Sequence, residues 1–252
     1  MRLWIVDMKE ITSVNNELIK DTAKLKEKKY RNQTGLFLVE GYHLIEMAKD
    51  YLQTVFVSKK NDYGIIKGVD YILVNEDIIN KLAQTINPQG IIGICKQKED
   101  MNISSNTVIM FDNIQDPGNA GTLIRSALAF GYKDIILSED SVDIYNDKVI
   151  RSSQGGIFKV NLIYRSLESE IKNLRNMGYH IYGTALNNAT PMRKITFNKK
   201  NVIILGNEGN GIRDNILKLT DENIFLEMNK DIDSLNVGVA GSIIMYELAK
   251  NN

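Results

Sequence analysis

Three polar turns in the second half of the chain contain the side chains best suited to chemistry. The first lies in DNIQDPGNAGTLIRSA (112–127), which follows the apolar run VIMF and contains Asn119 and Arg125. Asn119 is the expected N-cap of a helix, and Arg125 falls less than two turns inside it. Because apolar residues flank Arg125, a half-buried guanidinium there would need an anion or a carboxylate. A surface arginine on an amphipathic helix explains the same pattern, so both interpretations stay open.

The second polar turn, IILGNEGNGI (203–212), follows another apolar run, and Glu208 is its only charged residue. It lacks the Lys-Ser or Lys-Thr pair that ends a phosphate-binding P-loop, and its glycines do not have the G-x-G-x-x-G spacing of dinucleotide-binding folds. The two commonest nucleotide motifs are therefore excluded. What remains is a backbone-rich turn that is able to hydrogen-bond a polar adenine or amino-acid group.

The third polar turn, MNKDIDSLNVGVAGSIIMYE (228–247), leads into the last predicted helix. Ser234 is expected to cap this helix, and Asn236 falls in its first turn. The small residues from 237 to 241 are typical of a helix start that packs closely against another backbone. Each of the three turns is a weak signal when it is taken alone.

Alternating apolar strands and helices are expected to position these turns. In the second half, the predicted strands are 108–111, 134–138, 157–160, 179–184, 202–205 and 224–226, and the predicted helices lie near 119–130, 167–177, 212–219 and 235–249. Apolar strands without strict alternation, separated by helices, indicate a parallel sheet that is buried on both faces. Ligands of such sheets bind beyond the carboxyl ends of the strands, where these polar turns begin.

The first 98 residues have a pattern of their own. A helix is predicted from Ser13 to about Tyr30. Strands predicted at 36–39, 54–58, 71–74 and 90–95 accompany helices in YHLIEMAKDY and NEDIINKLAQ. The polar stretch KQKEDMNISSNT (96–107) has no apolar periodicity and is predicted to be a linker. The sequence thus predicts two α/β domains, 1–98 and 106–252.

The composition excludes several classes of protein and of site. The 252 residues are 43% apolar and carry 31 basic and 31 acidic side chains, so a nucleic-acid partner would have to bind a local patch. The segment KDTAKLKEKKYR (20–31) has six Lys or Arg residues against two acids, although a solvated helix face explains it too. One cysteine and two histidines argue against disulfides and metal sites, so no metal is expected. No signal sequence or long apolar run is visible, which predicts a cytoplasmic protein with no membrane span.

Taken together, in this order and spacing, the three turns resemble the motifs of the SpoU (TrmH-like) branch of the SPOUT RNA 2'-O-ribose methyltransferases. The resemblance extends through RSSQGGIF (151–158). It also covers KLKEKKYRNQTGLFLVEGYHLIEMA, which is similar to the substrate-binding domain of many rRNA members. The fold that it implies is a trefoil-knotted α/β methyltransferase domain with a mainly parallel sheet, preceded by a small α/β RNA-binding domain like those of ribosomal proteins.

The activity that the resemblance implies is methyl transfer from S-adenosylmethionine to a ribose 2'-hydroxyl of RNA. Ribosomal RNA, and 23S rRNA in particular, is the preferred substrate, because the chain ends shortly after the third turn and lacks the added C-terminal helix of some transfer-RNA enzymes. A tRNA ribose methyltransferase and a non-catalytic RNA-binding assembly factor remain as alternatives. The relatives pair as homodimers through the last helix, on which Val237 and Ile244 are expected to be exposed.

The resemblance also implies roles for individual residues. The implied catalytic residues are Arg125, Asn119, Glu208, Ser234 and Asn236. The implied cofactor pocket contains Thr184, Ala185, Leu186, Leu205, Gly206, Asn207, Glu208, Gly209, Ile224, Phe225, Leu226, Met228, Ser234 and Leu235. RNA contacts are expected from Lys24, Lys28, Lys29, Arg31, Asn32 and Gln33. An electrostatic role is expected for Arg125, held by Glu208 and Asn119, since a guanidinium keeps its proton in proteins.

Overall fold

The computed structural model of the protein describes residues 9–58, 66–229, 231–232 and 234–250. Its strands are β1 (Lys9–Ile11), β2 (Leu36–Glu40), β3 (Leu52–Ser58), β4 (Asp70–Val74), β5 (Ile91–Lys96), β6 (Thr107–Phe111), β7 (Asp134–Leu137), β8 (Asn161–Tyr164), β9 (His180–Thr184), β10 (Thr190–Pro191), β11 (Asn201–Leu205) and β12 (Glu222–Phe225). Its α-helices are α1 (Glu17–Lys24), α2 (Lys28–Thr34), α3 (Tyr42–Met47), α4 (Glu76–Leu82), α5 (Pro117–Ala129), α6 (Asp147–Ser152), α7 (Leu167–Asn176), α8 (Asp214–Leu217) and α9 (Val237–Ala249).

The chain divides into two units. The first unit takes the residues up to Glu99 together with Tyr145–Phe158, and the second takes Asp100–Ile144 and Lys159–Asn252. Sequence patterns predicted two continuous domains, and those domain bounds stay predictions. The segment Tyr145–Phe158 belongs to the first unit, although the sequence patterns predicted it as part of the second domain.

The described strands of the second unit form a parallel seven-stranded sheet in the order β10-β12-β9-β11-β6-β7-β8. Every residue of β6, β7 and β11 is buried, as expected for strands that are covered on both faces. The parallel sheet predicted from the apolar runs is therefore confirmed. The trefoil knot stays a prediction.

The strand register of this sheet brings the polar turns together. Phe111 at the end of β6 pairs with Leu205 at the end of β11 and with Leu137 at the end of β7. The turns that begin at Asp112, at Gly206 and at Ser138 therefore leave the sheet side by side, at the carboxyl edge where ligands bind in parallel sheets.

The first unit has a mixed five-stranded sheet in the order β1-β4-β3-β5-β2. Strands β1, β4 and β3 run parallel, whereas β5 is antiparallel to both β3 and β2. Phe37 on β2 is fully buried, and its ring lies 4.5 Å from the ring of Tyr145 and 6.1 Å from that of Phe158. The segment Tyr145–Phe158 thus contributes aromatic packing to the interior of this unit.

Several predicted elements differ from the structure. The helix predicted over 13–30 is two helices, α1 and α2, because Arg31 donates from Nη1 to the carbonyls of Leu25 (2.9 Å) and Lys26 (2.7 Å) and so stabilises the turn between them. The strand predicted at 157–160 is wrong, since Gly156–Phe158 forms a 3-10 turn and β8 begins at Asn161. No helix in the described ranges is long and apolar enough to cross a membrane.

Candidate active site

The turns after β6 and β11 are joined by direct hydrogen bonds in the second unit. The amide of Asp112 donates to the carbonyl of Leu205 over 2.8 Å, which extends the strand pairing by one residue. The side-chain amide of Asn207 then donates to the carbonyl of Asn113 over 2.8 Å. These two contacts align the first polar turn with the glycine-rich turn, residue against residue.

Glu208 projects from the glycine-rich turn towards the start of α5. Its Oε1 accepts from the amide of Asp116 (3.1 Å) and from Asn119 Nδ2 (3.1 Å). Its Oε2 accepts from the amide of Gln115 (3.2 Å) and from Asn207 Nδ2 (3.3 Å). An ionised carboxylate has about four acceptor directions, and all of them are used here. The geometry makes Glu208 an anchor for its neighbours instead of a free base.

A chain of side-chain amides continues from this carboxylate to α9. Asn119 donates to Glu208 through Nδ2 and accepts through Oδ1 from Asn236 Nδ2 over 2.9 Å. Asn236 is the N-cap of α9, because its Oδ1 accepts from the amide of Val239 (3.3 Å). Glu208, Asn119 and Asn236 thus form one hydrogen-bonded row that crosses all three polar turns.

Two predicted helix caps are wrong. Asp116 caps α5 by accepting from the amide of Asn119 (2.8 Å), which leaves the Asn119 side chain free to join the amide row. Asn236, and not Ser234, caps α9. Both predictions used the residue type alone. The residue that caps a helix is the one whose side-chain oxygen reaches the amide of the second or third helical residue.

The glycine-rich turn is held in shape by Asn207 and by one close backbone approach. Asn207 and Gly211 exchange two backbone hydrogen bonds of 2.9 Å, and Asn207 Oδ1 accepts from the amides of Gly209 and Asn210. A Cβ added at Gly206 would lie 2.2 Å from the carbonyl carbon of Gly211 and from the nitrogen of Ile212. Only glycine fits where the two ends of the turn cross.

Beside this turn lies a cavity of about 480 Å³, within the size range of small-molecule sites. It brings together thirteen of the fourteen residues predicted to form a cofactor pocket: Thr184, Ala185, Leu186, Gly206, Asn207, Glu208, Gly209, Ile224, Phe225, Leu226, Met228, Ser234 and Leu235. The exception is Leu205, which is buried beneath α9 and contacts the site of a Cβ at Gly241. Leu205 supports the pocket from behind instead of lining it.

The chemistry of the lining favours a cationic ligand with an aromatic or apolar part. Among the described lining residues the charged ones are Glu208 and Asp214, both acidic, and no Lys, Arg or His is present. A nucleotide phosphate would find no cation there, whereas a sulfonium or ammonium group would find carboxylates. Apolar residues such as Ile224 and Leu226 can pack against an adenine ring, and glycine amides can meet its polar edge.

Some lining residues were missed by sequence reasoning. They are Asn187, Asn210, Gly211, Ile212, Asp214, Leu217, Val237, Ala240 and Ile244. Asn210, Gly211 and Ile212 directly continue the turn that the motif marks, and the 2.9 Å pairing of Gly211 with Asn207 explains why they belong to it. The others come from helices α8 and α9 and from the turn after β9, and their residue types do not mark them as parts of a ligand site.

Arg125 lies on the exposed face of α5, which agrees with the interpretation as a surface arginine and not with that of a half-buried guanidinium. Nor does it hold Glu208, whose acceptor positions are all taken by other donors. In an α-helix, residues 119 and 125 differ by about 9 Å along the axis and about 120° around it. Within the described residues Arg125 has neither a salt bridge nor a hydrogen-bond partner.

The residues predicted to contact RNA lie around α1 and α2 of the first unit. Lys24, Lys28, Lys29, Asn32 and Gln33 are exposed. Arg31 contradicts the prediction, because it is only 4% exposed and its guanidinium is bonded to backbone carbonyls. Lys26 has a similar structural use, since its Nζ donates to the carbonyls of Lys81 (2.6 Å) and Ala83 (2.7 Å). Burial accordingly lowers the pKa of Lys26.

Comparison with known proteins identifies the family. Residues 106–246 match the SpoU rRNA Methylase family, and residues 16–93 match the MRM3-like substrate binding domain. The chain belongs to the SpoU rRNA methylase family. The prediction of an RNA methyltransferase of this class, with a substrate-binding domain in front, is therefore confirmed.

Relatives of this SpoU methylase extend over nearly the whole chain. The 23S rRNA (guanosine(2553)-2'-O)-methyltransferase RlmP of Bacillus subtilis (strain 168) is 35% identical over 246 residues, covering 96% of this chain and 99% of the relative. An rRNA methyltransferase from Sinorhizobium meliloti superposes with a TM-score of 0.86 at 28% identity, covering 96% of this chain and 98% of that one. An AdoMet-bound structure of rRNA methyltransferase from the same organism has a TM-score of 0.85, with the same identity and coverage.

The close approach at Gly206 gives a first prediction for this SpoU methylase. Gly206→Ala should lower the free energy of unfolding of the second unit by about 1 to 3 kcal/mol, because the clash is with backbone that cannot rotate away. Gly209→Ala is the matched control, since a Cβ there would meet nothing nearer than Asn207 Oδ1 at 3.7 Å. Thermal unfolding without ligand measures both, and equal stabilities would contradict the prediction.

Proposed function

We propose that this SpoU methylase transfers a methyl group from S-adenosylmethionine to the 2'-hydroxyl of a guanosine in 23S rRNA. Family membership supports the class of reaction, and the named activity of the Bacillus subtilis relative supports the choice of rRNA and of a guanosine. The observation that carries the choice of cofactor is the acidic and apolar cavity beside the glycine-rich turn. The AdoMet-bound rRNA methyltransferase from Sinorhizobium meliloti supports the same choice.

The residues of the cavity fit S-adenosylmethionine by charge and by shape. The turn from Gly206 to Ile212 has small residues, so adenosine can come close to its backbone hydrogen-bonding groups. The apolar residues at the end of β12 can pack against the adenine base. Glu208 and Asp214 supply negative charge on the same side of the sheet. When bound, the cofactor supplies an electrophilic methyl group on a positively charged sulfur.

The amide row gives Glu208, Asn119 and Asn236 positioning roles in this proposal. Because every acceptor direction of Glu208 is used, it cannot also take the proton of the ribose hydroxyl. Its function is to fix Asn119, which in turn fixes Asn236 at the start of α9. Ser234 lines the cavity with an exposed side chain and is left to hydrogen-bond the ligands directly.

Arg125 is the cation of the proposed reaction. Its guanidinium is free to meet an incoming RNA, because no described residue occupies it. A positive charge beside the ribose would lower the energy of the alkoxide that develops as the 2'-oxygen loses its proton. That oxygen would bond the methyl carbon as the bond from this carbon to sulfur breaks, so that the sulfur leaves as a neutral thioether. The guanidinium itself keeps its proton, so the proton leaves to solvent or to the RNA.

A homodimer completes the proposal. The exposed apolar residues of α9 are Val239, Ile243 and Tyr246, which are spaced four and three residues apart and therefore share one helix face. The expected pair of exposed residues was different: Ile244 is buried and Val237 is half-buried. A second copy that covers this face would bury the apolar stripe and bring another chain close to α5, which packs on α9.

The decisive experiment maps 2'-O-methyl groups in rRNA and tRNA from cells with and without the gene. Loss of methylation at one 23S guanosine, restored by the purified protein and S-adenosylmethionine on that rRNA, is the expected result. Loss of methylation at a tRNA position would instead identify tRNA as the substrate. An unchanged map, combined with binding to rRNA without methyl transfer, would favour the non-catalytic assembly factor.

The role of Arg125 gives a second prediction. Arg125→Ala should lower the single-turnover rate by about 10² to 10³-fold, the scale of losing one donor that stabilises the developing charge, while leaving the affinity for S-adenosylmethionine unchanged. Arg125→Lys should recover only part of the rate, because lysine keeps the charge but loses the planar fork. A wild-type rate for Arg125→Ala would remove this residue from the mechanism, and a parallel loss of cofactor affinity would make it structural.

The basic residues of the first unit give a third prediction. Lys28→Ala with Lys29→Ala should weaken rRNA binding and should reduce the slope of log affinity against log salt by about 1.4 to 1.8, since each lysine is expected to neutralise one phosphate. The control removes the same charge from two other exposed lysines of the unit, Lys49 and Lys67. Filter binding between low and high salt measures both, and equal slopes for the two double variants would show that the basic segment is only solvated.

The exposed stripe of α9 gives a fourth prediction. The chain has a mass of 28.5 kDa, so light scattering of the wild type should give twice that value at micromolar concentration. Val239→Glu with Tyr246→Glu should give the mass of a single chain, because charge on a covered apolar face costs several kcal/mol of association. A single-chain mass for the wild type would contradict the proposed homodimer.

A further inference from the structure

Asp112 and Arg213 form an ion pair at the back of the glycine-rich turn. The Asp112 carboxylate is fully buried at the end of β6. Its Oδ2 accepts from the backbone amide of Arg213 over 2.8 Å, and its Oδ1 accepts from Arg213 Nε (2.7 Å) and Nη2 (2.5 Å). Within the described parts of the chain, every hydrogen bond to this carboxylate comes from Arg213. Both side-chain nitrogens meet the same oxygen, Oδ1, while the backbone amide meets Oδ2, so the contact includes the main chain as well as the side chain.

Asp140 extends the pair to a third turn. Arg213 Nη1 donates to Asp140 Oδ2 over 3.0 Å, and Asp140 follows the end of β7. The backbone carbonyl of Asp140 accepts from Gln115 Nε2 over 2.6 Å. Gln115 in turn donates its own amide to Glu208. One arginine is therefore connected to the ends of β6 and β7, and through Gln115 to the anchor of the amide row.

The position of Arg213 in the chain connects this ion pair to the cavity. Its neighbours Ile212 and Asp214 both line the cavity, whereas the Arg213 side chain is directed to Asp112 and is not part of the lining. The other end of the turn is fixed independently, because Asn207 bonds Asn113 and Glu208 bonds the start of α5. Asn207 also accepts from the amides of Gly209 and Asn210 and pairs with Gly211. Arg213 adds the attachment at the far end of the 209–212 segment, where its backbone amide bonds Asp112 at the end of β6.

We propose that Arg213 is a positioning residue for the cofactor: bonded to Asp112 and Asp140, it holds the 209–212 wall of the pocket in the conformation that binds S-adenosylmethionine. This inference rests on the proposed function. It assigns Arg213 no contact with substrate or cofactor. Because Glu208 is held by other residues, loss of Arg213 should affect cofactor binding much more than the rate of the bound complex.

The test compares Arg213→Ala with the wild type in the full chain. Calorimetry should show an affinity for S-adenosylmethionine that is lower by about tenfold or more, while the turnover rate at saturating cofactor changes by less than about threefold, the pattern of lost uniform binding. Hydrogen exchange of the 209–212 amides without cofactor should be faster than in the wild type. Arg213→Lys should lie between the two, because a single ammonium group lacks the planar guanidinium that bonds Asp112 and Asp140 at once.

Two further variants separate positioning from general stability. Arg165→Ala removes an exposed ion pair with Asp100, 2.8 Å long, from the same unit and should leave affinity and exchange unchanged. Asp112→Asn with Arg213→Gln removes both charges, so that no buried carboxylate is left unpaired if Arg213→Ala fails to fold. A folded double variant with weakened cofactor binding supports the proposal, and one with wild-type affinity overturns it.

The outcomes for the two proposals are distinct. If the wild-type chain does not bind S-adenosylmethionine, the proposed function fails. If the wild type binds it and a folded Arg213→Ala binds it equally well, with unchanged exchange at 209–212, only the role of Arg213 fails. A loss of rate at saturating cofactor that matches the loss of affinity would also overturn it, because Arg213 would then act on the reacting groups.

Discussion

The side-by-side ending of β6 and β11 is the constraint on which the rest of the site depends. With Phe111 opposite Leu205, the next residues of both strands leave the sheet together, and Asp112 continues the pairing through one more backbone hydrogen bond. The two turns are then close enough for Asn207 to reach Asn113 and for Glu208 to reach the start of α5. A register shift of one residue would break all of these contacts at once.

Two hydrogen-bonded carboxylates, the buried Asp112 and the exposed Glu208, then fix the shape of the turns. The Asp112 carboxylate is bonded by Arg213, and the Glu208 carboxylate is bonded by two side-chain amides and two backbone amides. Removing water from the buried Asp112 carboxylate is costly unless its oxygens find donors, so the arrangement in which Arg213 bonds it is strongly preferred over alternatives. The result is a rigid wall around a cavity whose described charges are acidic, a property that suits a cationic cofactor and not a phosphate.

The first unit shows how a basic segment can serve two purposes. Arg31 and Lys26 use their charges on backbone carbonyls and so stabilise the turns around α1, α2 and α4. Lys28 and Lys29 remain exposed on the start of α2, where they are available to a phosphate backbone. The distinction matters for the proposed RNA binding, because only exposed lysines can neutralise RNA phosphates and release the counterions bound there.

The sequence by itself determined the class of fold and the location of the site. Apolar runs without alternation predicted the parallel sheet, and the resemblance of the three polar turns to the SpoU motifs implied that Asn119, Glu208 and Asn236 would meet. These predictions succeed because local patterns and motif order are properties of the chain. Thirteen of the fourteen residues that the resemblance implied for a cofactor pocket line one cavity, and their contact with the cofactor stays a prediction.

The tertiary structure alone decided which of those residues are free to act. Arg125 and Arg31 have the same side chain, yet one is exposed without a described partner and the other is buried on two carbonyls. Asp116 and Asn236 are the helix caps because the backbone direction, and not the residue type, determines which side-chain oxygen reaches an unpaired amide in the first turn of each helix. Arg213 has no distinguishing local pattern, because its partner Asp112 is 101 residues away in the chain. Partners that are distant in sequence are fixed only when the strands pair, and for that reason they could not be predicted from the sequence.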